Sequence, residues 1–308
     1  MSKIFSQNEW DTLREVVVGT ADYANWPEND IDFNKSVSDI RSWKETKFNF
    51  GPVKQEIVDR ANASLNEFTR VLEDLGVVVH RPLHRNYVEL NQFYGYCPRD
   101  TVLVVGDKII CTPTKYLTRR YEWETMTHVW NGNPVTHCDN PDALFDAANV
   151  CRLNDTLLYL VSETGNLAGA RWLQDYLGSQ YRVYPITNLY SGVHIDSTII
   201  PIREGLVLLN AGRVTEENLP TPLRSWDKIW IKENDLALQT FDHYPYASNW
   251  IGLNFLMVNP QLAIVDPKQE IIRKKLSEHG VESIGVDLTE SRTLGGGHHC
   301  VTLDTLRG

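Results

Sequence analysis

One pattern returns along this chain and limits its fold more than any single motif: short apolar strands or hairpins, an amphipathic helix, then another strand. Glu15-Val16-Val17-Val18-Gly19 reads as a buried strand ending on glycine. The polar stretch after it, to about residue 50, has no clear periodicity and reads as a long loop. Between Pro52 and Gly76 the residues Ile57, Ala61, Leu65, Phe68, Leu72 and Leu75 recur at helical spacing up to a glycine stop, and Val77-Val78-Val79-His80 follows as a strand.

Similar sets follow downstream. Thr101 to Pro113 reads as a hairpin around Gly106-Asp107, and Leu157 to Ser162 as a buried strand. A helix over Gly165 to Leu177, with Leu167, Ala170, Leu173 and Leu177 on one side, leads to a strand over Tyr181 to Ile186. Ser197 to Asn210 forms a hairpin turning at Arg203-Glu204-Gly205, and Phe255 to Val265 another around Asn259-Pro260. Pro267 to His279 is a helix closed by Gly280, and Val281 to Leu288 a strand. No Pro/Ser-rich linker divides these sets, so the expected fold is α/β, a single domain over residues 1–308 built from repeated β-β-α-β units.

With 42% hydrophobic and 23% charged residues, a chain of 308 residues can bury a substantial core. Its net charge of −10 argues against nucleic acid or an anionic membrane as a partner and suits a cationic small substrate. Five cysteines, an odd number without regular spacing, point to reduced thiols and a cytoplasmic location. The N-terminus lacks the apolar core of a signal peptide, and no apolar run is long enough to span a bilayer.

Near the C-terminus, Thr293-Leu294-Gly295-Gly296-Gly297-His298-His299-Cys300 gathers glycines that permit close backbone packing, imidazoles that offer a base, and a thiol. A phosphate cradle needs a following helix, whereas Val301-Thr302-Leu303-Asp304-Thr305-Leu306 alternates like a strand. Zinc needs further ligands, and neighbours on an extended chain face opposite ways, so at most His298 and Cys300 point together. Cys300 is either a nucleophile or a buried inert thiol, and the choice turns on which residues serve it.

Several segments are candidates for that service. His194-Ile195-Asp196 sets an imidazole and a carboxylate on one face of an extended segment with apolar flanks, although an exposed edge strand remains open. Asp146, between Phe145 and Ala147-Ala148, can orient a histidine or act as a helix cap or Asx turn. Asp100 follows Cys97-Pro98-Arg99 at the start of a strand, where aspartate is usually a turn residue. Arg213, after Asn210-Ala211-Gly212, can clamp a carboxylate or be a surface residue, and Ser248 reads first as a helix N-cap.

In order and spacing, Asn8-Glu9-Trp10-Asp11 with Glu15-Val16-Val17-Val18-Gly19, Pro98-Arg99-Asp100, Phe145-Asp146-Ala147-Ala148, His194-Ile195-Asp196, Asn210-Ala211-Gly212-Arg213 and Leu294-Gly295-Gly296-Gly297 leading to His299-Cys300 resemble the arginine:glycine amidinotransferase family. The resemblance runs from Asn8 to the C-terminus and implies a five-bladed α/β propeller of ββαβ modules with pseudo-fivefold symmetry. It makes Cys300 the nucleophile, His194 the general acid and base, and Asp146 the carboxylate that orients His194. Asp100 and Asp196 would grip the donor guanidinium, and Arg213 and Ser248 would hold the substrate's amino acid carboxylate. The implied reaction moves the amidino group of L-arginine through an amidino-cysteine to a small amine acceptor, leaving ornithine, with no cofactor and no metal. An arginine hydrolase or deiminase using water, and a catalytically silent arginine- or protein-binding member, are the alternatives, and a homodimer is open.

The chain departs from the family in three places. Asn149 stands where a second aspartate is usual, removing one negative charge near the guanidinium or histidine. Ser191-Gly192-Val193 replaces Asn-Pro-Met of the glycine enzymes on the acceptor side, so glycine is not assigned as acceptor. The region between Thr127 and Asp146 is much shorter than in the glycine enzymes, which implies a wider mouth and a larger amine.

Overall fold

In this computed structural model, which describes residues 4–39, 49–242 and 245–308, five three-stranded sheets share one pattern. A first strand pairs antiparallel with a second, and a third lies parallel to the second, which demands a crossover between them. The second sheet is Val102–Val105, Lys108–Cys111 and Val135–His137, and the third is Val150–Leu153, Thr156–Leu160 and Arg182–Ile186. The fourth is Ile199–Arg203, Leu206–Asn210 and Asp227–Ile231, and the fifth is Leu256–Asn259, Leu262–Val265 and Glu282–Gly285. The first sheet takes its leading strand, Thr302–Arg307, from the C-terminus and pairs it with Leu13–Val18, beside which Val78–His80 lies parallel. The two ends of the chain therefore complete one sheet.

Helices make the crossover in three of the sheets: Gln55–Asp74, Leu167–Leu177 and Glu270–Glu278. The first buries Ile57, Ala61, Leu65, Phe68 and Leu72 of the stripe that the spacing marks out, while Leu75, expected in the same stripe, is exposed just past the helix end before Gly76, which takes φ of 80°. The second is capped by Asn166, whose side chain accepts the Gly169 N–H at 2.8 Å. The second sheet crosses through the short 3-10 turns Leu117–Arg119 and Glu122–Met126, and the fourth through Thr221–Leu223, where Pro220 and Pro222 oppose a longer helix.

The polar stretch expected to be one long loop carries more order than its periodicity reveals. Asn25–Trp26 pairs with Gly51–Pro52, and Ile31–Asp39 is a helix. That helix is anchored by Phe33, which stacks on Trp26 at 6.2 Å, while Ile31 is exposed, so the apolar stripe that would announce it is missing. Residues 40–48 of the same stretch lie outside the described residues. Leu157 to Ser162, read as a lone strand, is the second arm of a hairpin with Val150–Leu153 across Asn154, which takes φ of 62°.

Leading strands of four sheets meet around a buried ion cluster. Asp304 accepts hydrogen bonds from Ser6 Oγ at 2.9 Å, Arg152 Nη2 at 2.6 Å, Arg307 Nε at 2.8 Å and the Arg99 guanidinium. Glu9 takes Arg152 Nε at 2.9 Å and Nη2 at 2.7 Å. Arg152 reaches the Val104 carbonyl at 3.0 Å and Arg307 the Met257 carbonyl at 3.0 Å, tying in the second and fifth sheets. Burial works against the charge of Asp304, but the three guanidinium groups outweigh it and hold the carboxyl well below the usual carboxylate range. Among the described residues no helix is long and apolar enough to cross a membrane. Replacing Asp304 by Asn keeps the shape but leaves three buried guanidinium groups short of their shared anion, and urea unfolding is expected to show a loss of about 3–5 kcal/mol.

Candidate active site

Each sheet is preceded by a short irregular segment, and these five segments converge. They carry Asp100 at the end of the turn Pro98–Asp100, Asp146 ahead of Ala147–Asn149, His194 and Asp196 ahead of Ile199, Asn254 after Asn249–Leu253, and Cys300 ahead of Thr302. The chain thus delivers one set of polar side chains per module to a common place. His194 Nε2 lies 3.0 Å from Asp146 Oδ2, and its Nδ1 lies 3.7 Å from Asp100 Oδ1. The Cys300 thiol donates to Asp196 Oδ2 at 3.2 Å, and His299 Nδ1 lies 3.0 Å from the same oxygen. The second nitrogen of His299 faces Glu9 Oε2 at 3.3 Å, linking the site to the ion cluster beneath it.

Two carboxylate oxygens in this group are buried and lack a hydrogen bond: Asp100 Oδ1 and Asp146 Oδ1. The other oxygen of Asp100 is held by Arg119 Nη1 at 2.7 Å, while Arg119 is itself paired with Glu122 and lies over the rings of Phe93 and Tyr94. An acceptor left without a donor in a dry site is costly unless something else supplies one. These oxygens suit a planar ligand with several N–H donors and a positive charge.

The protonation states follow from burial set against neighbouring charge. Burial disfavours the charged form of His194, but Asp100, Asp146 and Asp196 overcome it and raise the imidazole to about 9. For Asp196 burial is again opposed and outweighed, by the hydrogen bond and charge of His299 and the charge of His194, so its carboxyl sits well below the usual range. The Cys300 thiol is pushed up by its contact with the Cys97 thiol, by burial and by the charge of Asp196. The contact depends on Gly296, where a Cβ would meet the Cys97 sulfur at 2.5 Å and the Cys300 Cβ at 3.2 Å. At neutral pH the site therefore holds an imidazolium and a protonated thiol.

The remaining expected residues take different positions. The Arg213 guanidinium stacks 3.8 Å over the Tyr190 ring, and its Nη1 donates to Ser197 Oγ at 3.1 Å and Thr198 Oγ1 at 2.7 Å. Among the described residues it has no carboxylate partner. Ser248 is exposed at the head of the turn Asn249–Leu253, and its side chain makes no capping hydrogen bond. His298 turns away from the site, with Nε2 2.8 Å from the Val286 carbonyl and its ring edge-on to Phe68. Asn254, Arg119 and Cys97 escape the sequence reading, since asparagine in a turn, arginine in a polar stretch and an unpaired cysteine are all commonplace. The one available signal for Asn254 is its place ahead of the hairpin of the fifth sheet.

Comparison with known proteins gives the relationship. The inosamine-phosphate amidinotransferase 1 of Streptomyces glaucescens is 38% identical over 341 residues, covering 100% of this chain and 97% of that protein. The chain belongs to the amidinotransferase family. Within that family, the solved inosamine-phosphate amidinotransferase of Streptomyces griseus gives a TM-score of 0.92 at 37% identity, over 100% of this chain and 97% of its own. An amidinotransferase of the saxitoxin biosynthetic pathway from Microseira wollei gives 0.86 at 29% identity, over 99% of this chain and 98% of its own. No protein-family model matches. The five sheets are thus the modules of the α/β propeller of this amidinotransferase.

Asn149, the departure from the family's aspartate, has a structural place. Its Nδ2 faces the Leu160 carbonyl and Ser162 Oγ, both at 2.9 Å, and the Val193 carbonyl at 3.2 Å, while its Oδ1 accepts from Thr164 Oγ1 at 2.9 Å. The amide thereby holds the backbone next to His194. Asn149→Asp would turn a donor into an anion facing two carbonyls. A loss of about 1–3 kcal/mol or more is expected in thermal unfolding at pH 7. Because burial and these acceptors raise the new carboxyl above its unfolded value, the loss should shrink as the pH falls and the group is protonated.

Proposed function

We propose that this amidinotransferase takes the amidino group from L-arginine onto Cys300 and passes it to a small amine, in a specialised biosynthetic route. The observation that carries the reading is the pair of buried carboxylate oxygens that lack a hydrogen bond, Asp100 Oδ1, 3.7 Å from His194 Nδ1, and Asp146 Oδ1, beside His194 and the Cys300–Asp196 pair. A guanidinium fits that demand for donors and charge. Arg213, stacked and without a carboxylate partner among the described residues, would take the arginine carboxylate, with Ser248 at the rim as a further contact. The relatives' acceptors differ by their names, and the short region between Thr127 and Asp146 favours an amine larger than glycine. Five free thiols support a reducing, cytoplasmic setting.

The residues divide the chemistry as follows. Asp100 and Asp196 hold the guanidinium against the sulfur, and the added positive charge favours release of the Cys300 proton to solvent, from which the sulfur regains it after the guanidino product leaves. The thiolate attacks the guanidinium carbon. Collapse of the adduct breaks the bond to the departing nitrogen, which takes a proton from the His194 imidazolium, and ornithine leaves. His194 is then neutral. It removes a proton from the incoming amine, which attacks the amidino-cysteine, breaks the carbon–sulfur bond and leaves as a guanidino product.

Incubation with arginine alone should give one equivalent of ornithine and an amidino adduct on Cys300 in intact-protein mass spectra. Continued release of urea or citrulline without an amine would reject transfer in favour of hydrolysis. The first half-reaction needs the imidazolium, which is present below about pH 9 and lost above it, so single-turnover ornithine release should fall through about pH 9. Asp146→Asn removes one of the charges that hold this proton, and the alkaline limb should move down by about one unit or more.

A further inference from the structure

The fifth module is the one whose leading segment brings no titratable group to the site. Asn254 stands there instead, just ahead of Leu256–Asn259 and 1% exposed. Its Oδ1 accepts the Cys300 backbone N–H at 2.9 Å, and its own backbone carbonyl accepts the His299 N–H at 3.2 Å. Gly297 makes this approach possible, because a Cβ there would meet Asn254 O, Cβ and Oδ1 at 2.7, 2.8 and 2.9 Å. The remaining polar atom, Nδ2, is buried and makes no well-formed hydrogen bond, although the amide is close enough to help hold the Asp196 carboxyl low. It faces Asp196, the carboxylate that already takes the Cys300 thiol and His299 on Oδ2.

We propose that Asn254 is a positioning residue for the nucleophile: its two oxygens fix the His299-Cys300 backbone, and its Nδ2 supplies a donor to Asp196 and the Cys300 sulfur once the thiol proton is gone. The amide is planar, so pinning Oδ1 on the Cys300 N–H also fixes where Nδ2 points. A buried donor without a well-formed hydrogen bond is unfavourable, and the negative charge left when the thiol ionises beside Asp196 would give it a stronger acceptor. The donor is therefore worth more after ionisation than before, which is the condition for aiding the chemical step. Asparagine meets both needs, whereas aspartate would keep the acceptor and set a second negative charge beside Asp196.

The proposal rests on Cys300 being the nucleophile, and a test that does not require amidino transfer keeps the two apart. The groups facing Cys300 are Cys97, Asp196 and Asp100, with His194 and His299 held on the carboxylates, so the pH profile of its alkylation by iodoacetamide reports their combined field. In Asn254→Asp this profile, followed at Cys300 by peptide mass spectrometry, should move up by about one unit, with alkylation at pH 8 about tenfold slower. With arginine and an amine such as lysine, kcat should fall about 100-fold while the KM for arginine stays within about threefold. Asn254→Ser removes Nδ2 without adding charge and carries the same kcat expectation if the aspartate variant fails to fold. A wild-type alkylation profile and kcat in either folded variant would overturn the proposal. A displaced profile in a protein whose wild type never forms the amidino adduct would sink the transferase reading and leave the positioning role standing.

Discussion

Asp304 is the point on which the rest of this structure depends. Three guanidinium groups and a serine hydroxyl converge on one fully buried carboxylate, shut away from bulk solvent. Buried ion clusters add little net stability over apolar packing of the same volume, but an incomplete one is strongly unfavourable. What the cluster enforces is register. A one-residue slip of Thr302–Arg307 against Leu13–Val18 would turn Asp304 to the other face of the sheet and leave Arg99 and Arg152 without it. Since that strand follows directly on Cys300, the pairing of the chain's two ends and the place of the sulfur are set by one constraint.

Above this cluster the site is arranged in the opposite sense. Beneath, each charge has its partners. In the site, Asp100 and Asp146 each keep an oxygen without a hydrogen bond, the Asn254 amide makes no well-formed one through Nδ2, and the thiol is crowded by a second thiol and a carboxylate. Such a surface can be held only by a frame that does not relax to satisfy it, which is what four sheets joined through shared arginines provide. His299 joins the two layers, with one nitrogen on Asp196 and the other on Glu9.

Much of this was legible in the chain, and the remainder has physical reasons for being hidden. The hairpins at Gly106-Asp107 and Arg203-Glu204-Gly205, and the helix with Ile57, Ala61, Leu65, Phe68 and Leu72, follow from local periodicity and turn chemistry. The helix Ile31–Asp39 does not, because one buried aromatic residue holds it rather than a stripe. His194, Asp146 and Cys300 were visible as separate reactive types, but the 3.0 Å between His194 and Asp146 is set by how successive modules meet, which no local spacing encodes. Arg152 and Asp304 were hidden for a different reason: charged residues on alternating strands look like a solvated face until the fold turns that face inward, and Glu9 lies in an irregular segment with no periodicity to mark it as buried.

The charges also order the proposed reaction in time. With His194 protonated to about 9 and the thiol raised, the empty site has its acid ready and its nucleophile masked. A bare thiolate in that position would be open to oxidation, and here it is exposed only when a cation lies against Asp196. The arriving guanidinium is thus both substrate and activator. Its departure as ornithine then carries away the His194 proton, which makes the base for the acceptor at the moment the amidino group becomes available. Water can use that base as well as an amine can, so under this proposal the preference for transfer rests on how closely the walls fit the acceptor, and Arg213, fixed over the Tyr190 ring, would border the space ornithine leaves.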